Sequence, residues 1–234
     1  MTERSTTSNR VATLIPGFDK LIRGGFVKNS INLVTGGIGT GKTLFSLQFA
    51  VNQIKAGENV LYISFDENSR RLTADAAAMG WDLDAYQKQG KMQIVTIEPI
   101  SNPDFYSQIS KTITQYGISI VVVDSVSEMA LAFQDNIYRL RRELYVLSDL
   151  LHKHDCTTLI TAEVPGEASL DAMGGGTLTR DGITEFVVDT VITLHNAGIG
   201  GEGDRAIRVL KMRRTQHVRE PIGMKITNKG LVVG

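Results

Sequence analysis

The chain has 234 residues, 42% of them hydrophobic, and its 25 Lys and Arg are balanced by 25 Asp and Glu. That length suits one α/β domain built around a single sheet, and the zero formal charge excludes a global positive field that would hold nucleic acid by charge alone. Cys156 is the sole cysteine, which excludes an internal disulfide and a thiolate metal cluster; with no apolar run long enough to span a membrane, a cytoplasmic protein is expected.

Residues 1–10 read as a polar tail and residues 11–234 as one domain. From Leu14 to Phe26 the sequence predicts a turn, a short helix and a glycine stop before the first buried strand, which includes Ile31, Leu33 and Val34. An amphipathic helix follows over Leu44 to Ile54. Short, β-branched, continuously apolar runs then recur at Val60–Ser64, Met92–Ile97, Ile118–Val123 and Thr157–Thr161, as expected of strands covered on both faces. Between them, Phe105, Ile109, Ile113 and Tyr116 share one helical stripe, and Ile137, Leu140, Leu144, Leu147 and Leu151 share another. Alternation of this kind predicts a mainly parallel, twisted sheet with helices on both faces. From Thr190 the pattern changes to three strand-like stretches, Thr190–His195, Ala206–Arg213 and Met224–Thr227, joined by turns at Ile199–Gly203 and Asn228–Gly230. They predict an antiparallel extension of the same sheet.

Between the first strand and its helix, Gly36-Gly37-Ile38-Gly39-Thr40-Gly41-Lys42-Thr43 fills the phosphate-loop pattern G-x-x-x-x-G-K-[ST],. Glycines let backbone N–H groups turn inward around a phosphate. Gly37, Gly39, Thr40 and Gly41 supply that cradle, and Lys42, Thr43 and Leu44 open a helix whose N-terminal N–H groups and dipole favour an anion. Lys42 is placed to reach the β- and γ-phosphates, and the Thr43 hydroxyl suits Mg²⁺, which prefers oxygen ligands. The pattern therefore predicts nucleotide and Mg²⁺ as cofactors. Asp124 ends the buried run Ile120–Val123, at the carboxyl edge of the sheet where α/β folds bind ligands, and would hold Mg²⁺ through water. Asp66 and Glu67 leave the sheet at the same edge after Phe65. Either would serve as general base on the attacking water, and Glu67 has the longer reach, although Asp66 beside Asn68 and Ser69 also suits a helix cap. Lys211 and Arg213, two apart on a strand, point the same way. Spacing alone leaves two readings open: cations that stabilise a neighbouring subunit's γ-phosphate, or the solvated face of an edge strand.

In combination, the phosphate loop, Ser64–Asn68, Val121–Ser125, Leu178–Leu194 and Leu210–His217 resemble the KaiC family within the RecA-like P-loop NTPases, over Pro16 to Val233. The resemblance implies ATP as the nucleotide, a ring, expected to be a hexamer, and an unidentified protein partner. It implies that Glu67 and Asp66 supply the catalytic carboxylate, and that Lys211, Arg213 and His217 touch a neighbour's nucleotide. Asn228 falls where the family often has an acid near the sugar or base. The cyanobacterial clock protein carries two such domains in tandem, whereas this chain has one, so no clock role follows. Glu185-Phe186 replaces the adjacent Ser and Thr of the autophosphorylated clock domain, so autokinase activity at that site is not expected. Two other functions compete with an ATPase that couples nucleotide state to conformation or partner binding. A RecA- or RadA-like DNA-binding ATPase would line its channel with Pro165–Gly182, but Arg180 is the sole cation there, too few for a DNA groove. An ATP sensor without turnover would bind but not hydrolyse.

Overall fold

The computed structural model describes residues 9–65, 69–96, 104–133, 136–164, 178–196 and 205–234. A small antiparallel pair, β1 (Arg10–Val11) and β2 (Phe26–Val27), brackets the short helix α1 (Phe18–Leu21). The main sheet is built on β3 (Ile31–Gly36), which leads into α2 (Lys42–Lys55). Next come β4 (Val60–Ser64), α3 (Ser69–Ala78), α4 (Leu83–Lys88), β5 (Met92–Thr96), α5 (Phe105–Tyr116) and β6 (Ile120–Asp124). The chain continues through α6 (Val126–Ala132), α7 (Ile137–Lys153), β7 (Thr157–Glu163) and α8 (Thr184–Val187). It closes with β8 (Thr190–Asn196), β9 (Arg205–Met212), β10 (Ile222–Thr227) and β11 (Gly230–Val233).

The nine strands lie in the order β11-β10-β9-β8-β3-β7-β6-β4-β5. Pairing from β8 through to β5 is parallel, and the pairs β8–β9, β9–β10 and β10–β11 are antiparallel. The predicted parallel sheet with an antiparallel extension is therefore present. Successive strand residues feed opposite faces, as the pleat requires. Val60 and Tyr62 of β4 join the core under α2, with Phe45 and Phe49, while Leu61 and Ile63 join the core under α5 and α7, with Ile109 and Leu144. Burial on both faces is why these runs read as continuously apolar.

Several details differ from the sequence reading. The first of the three stretches read as an antiparallel extension, β8, pairs parallel with β3 and antiparallel only with β9; β11 adds a further antiparallel strand, and β9 stops at Met212, so Arg213 lies just beyond it. Gln48, buried on α2, explains how the last strand is held. Its Nε2 donates to Leu231 O at 3.1 Å and its Oε1 accepts from Leu231 N at 2.6 Å. Gly230 sits at φ 117°, where a Cβ would come within 2.7 Å of Gln48 Oε1. The predicted turn at Ile199–Gly203 lies outside the described residues. Among the described residues no helix is long and apolar enough to cross a membrane.

Candidate functional site

β3 is flanked on both sides by parallel strands, and Gly36 at its end stands level with Glu163 of β7 and Leu194 of β8. The chain turns into α2 at this point, so the loop opens at the carboxyl edge of the sheet. Gly36 has no room for a side chain, since a Cβ would lie 2.6 Å from Leu194 O and 2.7 Å from Thr40 Oγ1. Thr40 Oγ1 donates to Gly37 O at 2.9 Å and closes the loop on itself. Gly41 takes the N-cap position of α2 at φ 102°, and having no side chain it makes no cap bond to the helix's first N–H groups. Those donors remain available to an anion.

The loop borders a cleft of about 320 Å³ lined by Ile38, Gly39, Gly41 and Lys42, by Thr43 and Leu44, and by Ser64, Asp124, Ser125 and Glu163. Lys42 Nζ donates to Gly36 O at 3.0 Å and to Gly37 O at 2.9 Å, folding the ammonium back over the loop. Burial lowers the Lys42 pKa, and the carboxylates of Glu163 and Asp124 oppose that shift. Asp124 is nearly buried at the end of β6. Its Oδ2 accepts from the Tyr62 hydroxyl at 2.7 Å, and its Oδ1 accepts a short hydrogen bond from Thr161 Oγ1. Each carboxylate oxygen thus spends one lone pair on the core and retains another for the cleft. The Thr43 hydroxyl and the Asp124 carboxylate line one cleft as hard oxygen donors, a set that fits Mg²⁺,.

Among the residues at this site that sequence reasoning missed are Glu163 and Arg205. Glu163 ends β7 beside Gly36, and its backbone N–H is held by Ser127 Oγ at 2.7 Å. The rule that selected Asp124, an acid ending a buried strand, applies to it equally. Arg205 opens β9 and donates from Nη1 to Gly39 O at 2.7 Å, on the rim of the phosphate loop. No pattern marks it, because the contact depends on β9 running antiparallel to β8.

The remaining candidates fall in two places. Asn228 is exposed in the β10–β11 turn, at the same edge as the phosphate loop, and nearby Ile226 Cδ1 lies 3.3 Å from where a Cβ on Gly41 would be. Lys211 lies opposite Val191, toward the other end of β8 from Leu194, which stands level with Gly36. It stands four steps along β9 from Ile207, the partner of Leu194, or about 13 Å at the rise of a strand,. Lys211 and Arg213 do not project together as expected. Lys211 Nζ turns inward to Val188 O at 2.7 Å and Glu185 O at 3.2 Å, whereas the Arg213 guanidinium is exposed, 3.9 Å from Asp189 Oδ1. Burial and the Arg213 charge lower the Lys211 pKa, against the opposing pull of Asp189 and Glu185. His217 Nδ1 lies 3.0 Å from Val218 O. Asp66 and Glu67 lie outside the described residues.

A phosphate loop between a central parallel strand and its helix, with an acid at the end of β6 facing it across the cleft, defines a nucleotide-binding protein of the P-loop, RecA-like class. Comparison with known proteins narrows that class. The family model described as "ATPase: KaiC" matches residues 11–234, and the chain belongs to that family. Among curated proteins it is 32% identical over 233 residues to the circadian clock oscillator protein KaiC of Picosynechococcus sp., covering 95% of this chain and 44% of that one. It is 33% identical over 232 residues to the same clock protein of Parathermosynechococcus lividus, covering 94% and 41%. The chain thus spans less than half the length of these relatives. Among solved structures, a KaiC-like protein from the hyperthermophilic archaeon Pyrococcus horikoshii OT3 superposes with a TM-score of 0.82 at 33% identity, covering 96% of this chain and 98% of that one.

Proposed function

We propose that residues 11–234 form a Mg²⁺-dependent ATPase domain that works in the cytoplasm as a ring of six copies, coupling nucleotide state to a change in conformation or in binding to a protein partner. In this reading the ATP phosphates sit on the N–H groups of Gly37 to Leu44, and Lys42 leaves the carbonyls of Gly36 and Gly37 for the β- and γ-phosphates,. Thr43 and, through water, Asp124 would hold Mg²⁺, which would supply positive charge against the phosphates. Glu67, with Asp66 beside it, takes a proton from the water whose oxygen attacks the γ-phosphorus, and the bond to the β-phosphate oxygen breaks to release ADP. Asn228 would sit near the sugar or base.

The observation that carries the ring is the separation of Lys211 and Arg213 from the chain's own phosphate loop. Cations at the other end of β9 act on nucleotide only if another copy presents it, with His217 beside them,. Turnover should therefore rise with protein concentration as light scattering records assembly, and Glu67→Gln and Arg213→Ala should each lower it while ATP binding survives. ATP binding without turnover in the parent protein would leave a nucleotide sensor in place of an enzyme.

A further inference from the structure

In sequence Tyr62 belongs to the apolar run of β4, and in the fold it is wholly buried against α2. A phenylalanine would fill the same space without burying a hydroxyl, which must find partners to avoid a desolvation penalty. Those partners lie directly beneath the cleft. The Tyr62 O–H donates to Asp124 Oδ2 at 2.7 Å, and the same phenol oxygen lies 2.8 Å from Ser46 Oγ, one turn into α2. Ser46 Oγ in turn lies 2.9 Å from the carbonyl oxygen of Thr43. With the Tyr62 proton committed to Asp124, the one Ser46 proton is shared between the phenol oxygen and the Thr43 carbonyl, so Ser46 seats the phenol against the first turns of α2, and Thr161 steadies the far oxygen of Asp124,.

We infer that Tyr62 is a positioning residue for the metal–nucleotide complex: its hydroxyl fixes the rotation of the Asp124 carboxylate and ties it, through Ser46, to the start of α2. The inference rests on the Mg²⁺·ATP reading of the cleft. Without the hydroxyl, Asp124 keeps its bond from Thr161 but loses the second contact that fixes its rotation, so it would offer the metal site a less ordered acceptor,. The nucleotide's own contacts, made by loop N–H groups and Lys42, are untouched.

Calorimetric titration of a non-hydrolysable ATP analogue, with and without Mg²⁺, separates these effects in the full chain. Tyr62→Phe should bind the analogue without metal as the parent does, while the tightening produced by Mg²⁺ falls about tenfold. Ser46→Ala, which cuts only the link to α2, should move the same quantity in the same direction by a smaller factor, and it serves if Tyr62→Phe fails to fold. A purely structural hydrogen bond would lower the unfolding temperature without nucleotide and leave the Mg²⁺ tightening unchanged. Unchanged tightening in both variants overturns the inference alone, whereas a parent protein whose analogue binding ignores Mg²⁺ overturns the metal reading and this inference with it.

Discussion

Lys42 illustrates how a side chain costs stability in one state and stabilises another. Burial lowers its pKa from 10.5, so the folded protein holds this proton less tightly than the unfolded chain does,. The penalty for the buried ammonium is present in full at neutral pH and is relieved as pH rises through the folded pKa toward 10.5. Paired urea titrations without nucleotide should therefore show the parent gaining stability relative to Lys42→Met as pH rises over that range. A bound phosphate would add to the partial counter-charge of Glu163 and Asp124, so Lys42→Met should weaken nucleotide binding about 10- to 100-fold in a fluorescence titration, the loss of one or two charge-assisted hydrogen bonds,. Cys156 is the opposite case. Buried in the core, with its pKa pushed up to about 12, its thiol should resist alkylation at pH 8 until the protein is unfolded,. Both residues were legible in sequence, one from the loop pattern and the other from its apolar neighbours. Glu163 and Arg205 were not, because their places depend on which strands become neighbours.

The parallel strands β4, β6 and β7 were legible because burial on both faces leaves continuous β-branched runs, whereas β8, parallel to β3, was not distinguished from the antiparallel stretches after it,. The C-terminal hairpin was legible only in part. β11 is short, its sequence carries no alternation of its own, and besides its pairing with β10 it is held by residues far away in the chain, Gln48 on α2 and Pro16. Gly230→Ala should therefore destabilise the protein by about 2 kcal/mol in a denaturant titration, since it combines a left-handed φ with a clash against Gln48,. Gln48→Ala should cost about as much by leaving the Leu231 N–H without its partner. Each should also disturb the nucleotide edge, because this hairpin carries Asn228 and packs Ile226 over Gly41. Spacing alone places Lys211 and Arg213 on one face of a strand. In the fold the strand ends before Arg213, and the carbonyls of Glu185 and Val188 draw Lys211 inward.

At the scale of the whole molecule, the sheet divides the proposed chemistry between its two ends. The phosphate loop, Asp124 and Glu163 gather at the carboxyl ends of the parallel strands, while Lys211 and Arg213 stand at the other end of β9. In the proposed reading one copy would offer its nucleotide at one end of the sheet and Arg213 at the other, as a head-to-tail ring requires to complete its sites. Subunit mixing tests this claim most directly. Lys42→Ala leaves a copy with intact cations and a disabled loop, and Arg213→Ala leaves one with an intact loop and a missing cation. Each variant alone should have little turnover. Assembled together, they create interfaces at which an intact loop meets an intact arginine, and ATP hydrolysis should reappear in the mixture in proportion to those interfaces. A mixture that assembles yet stays at the level of the separate variants would contradict the shared site.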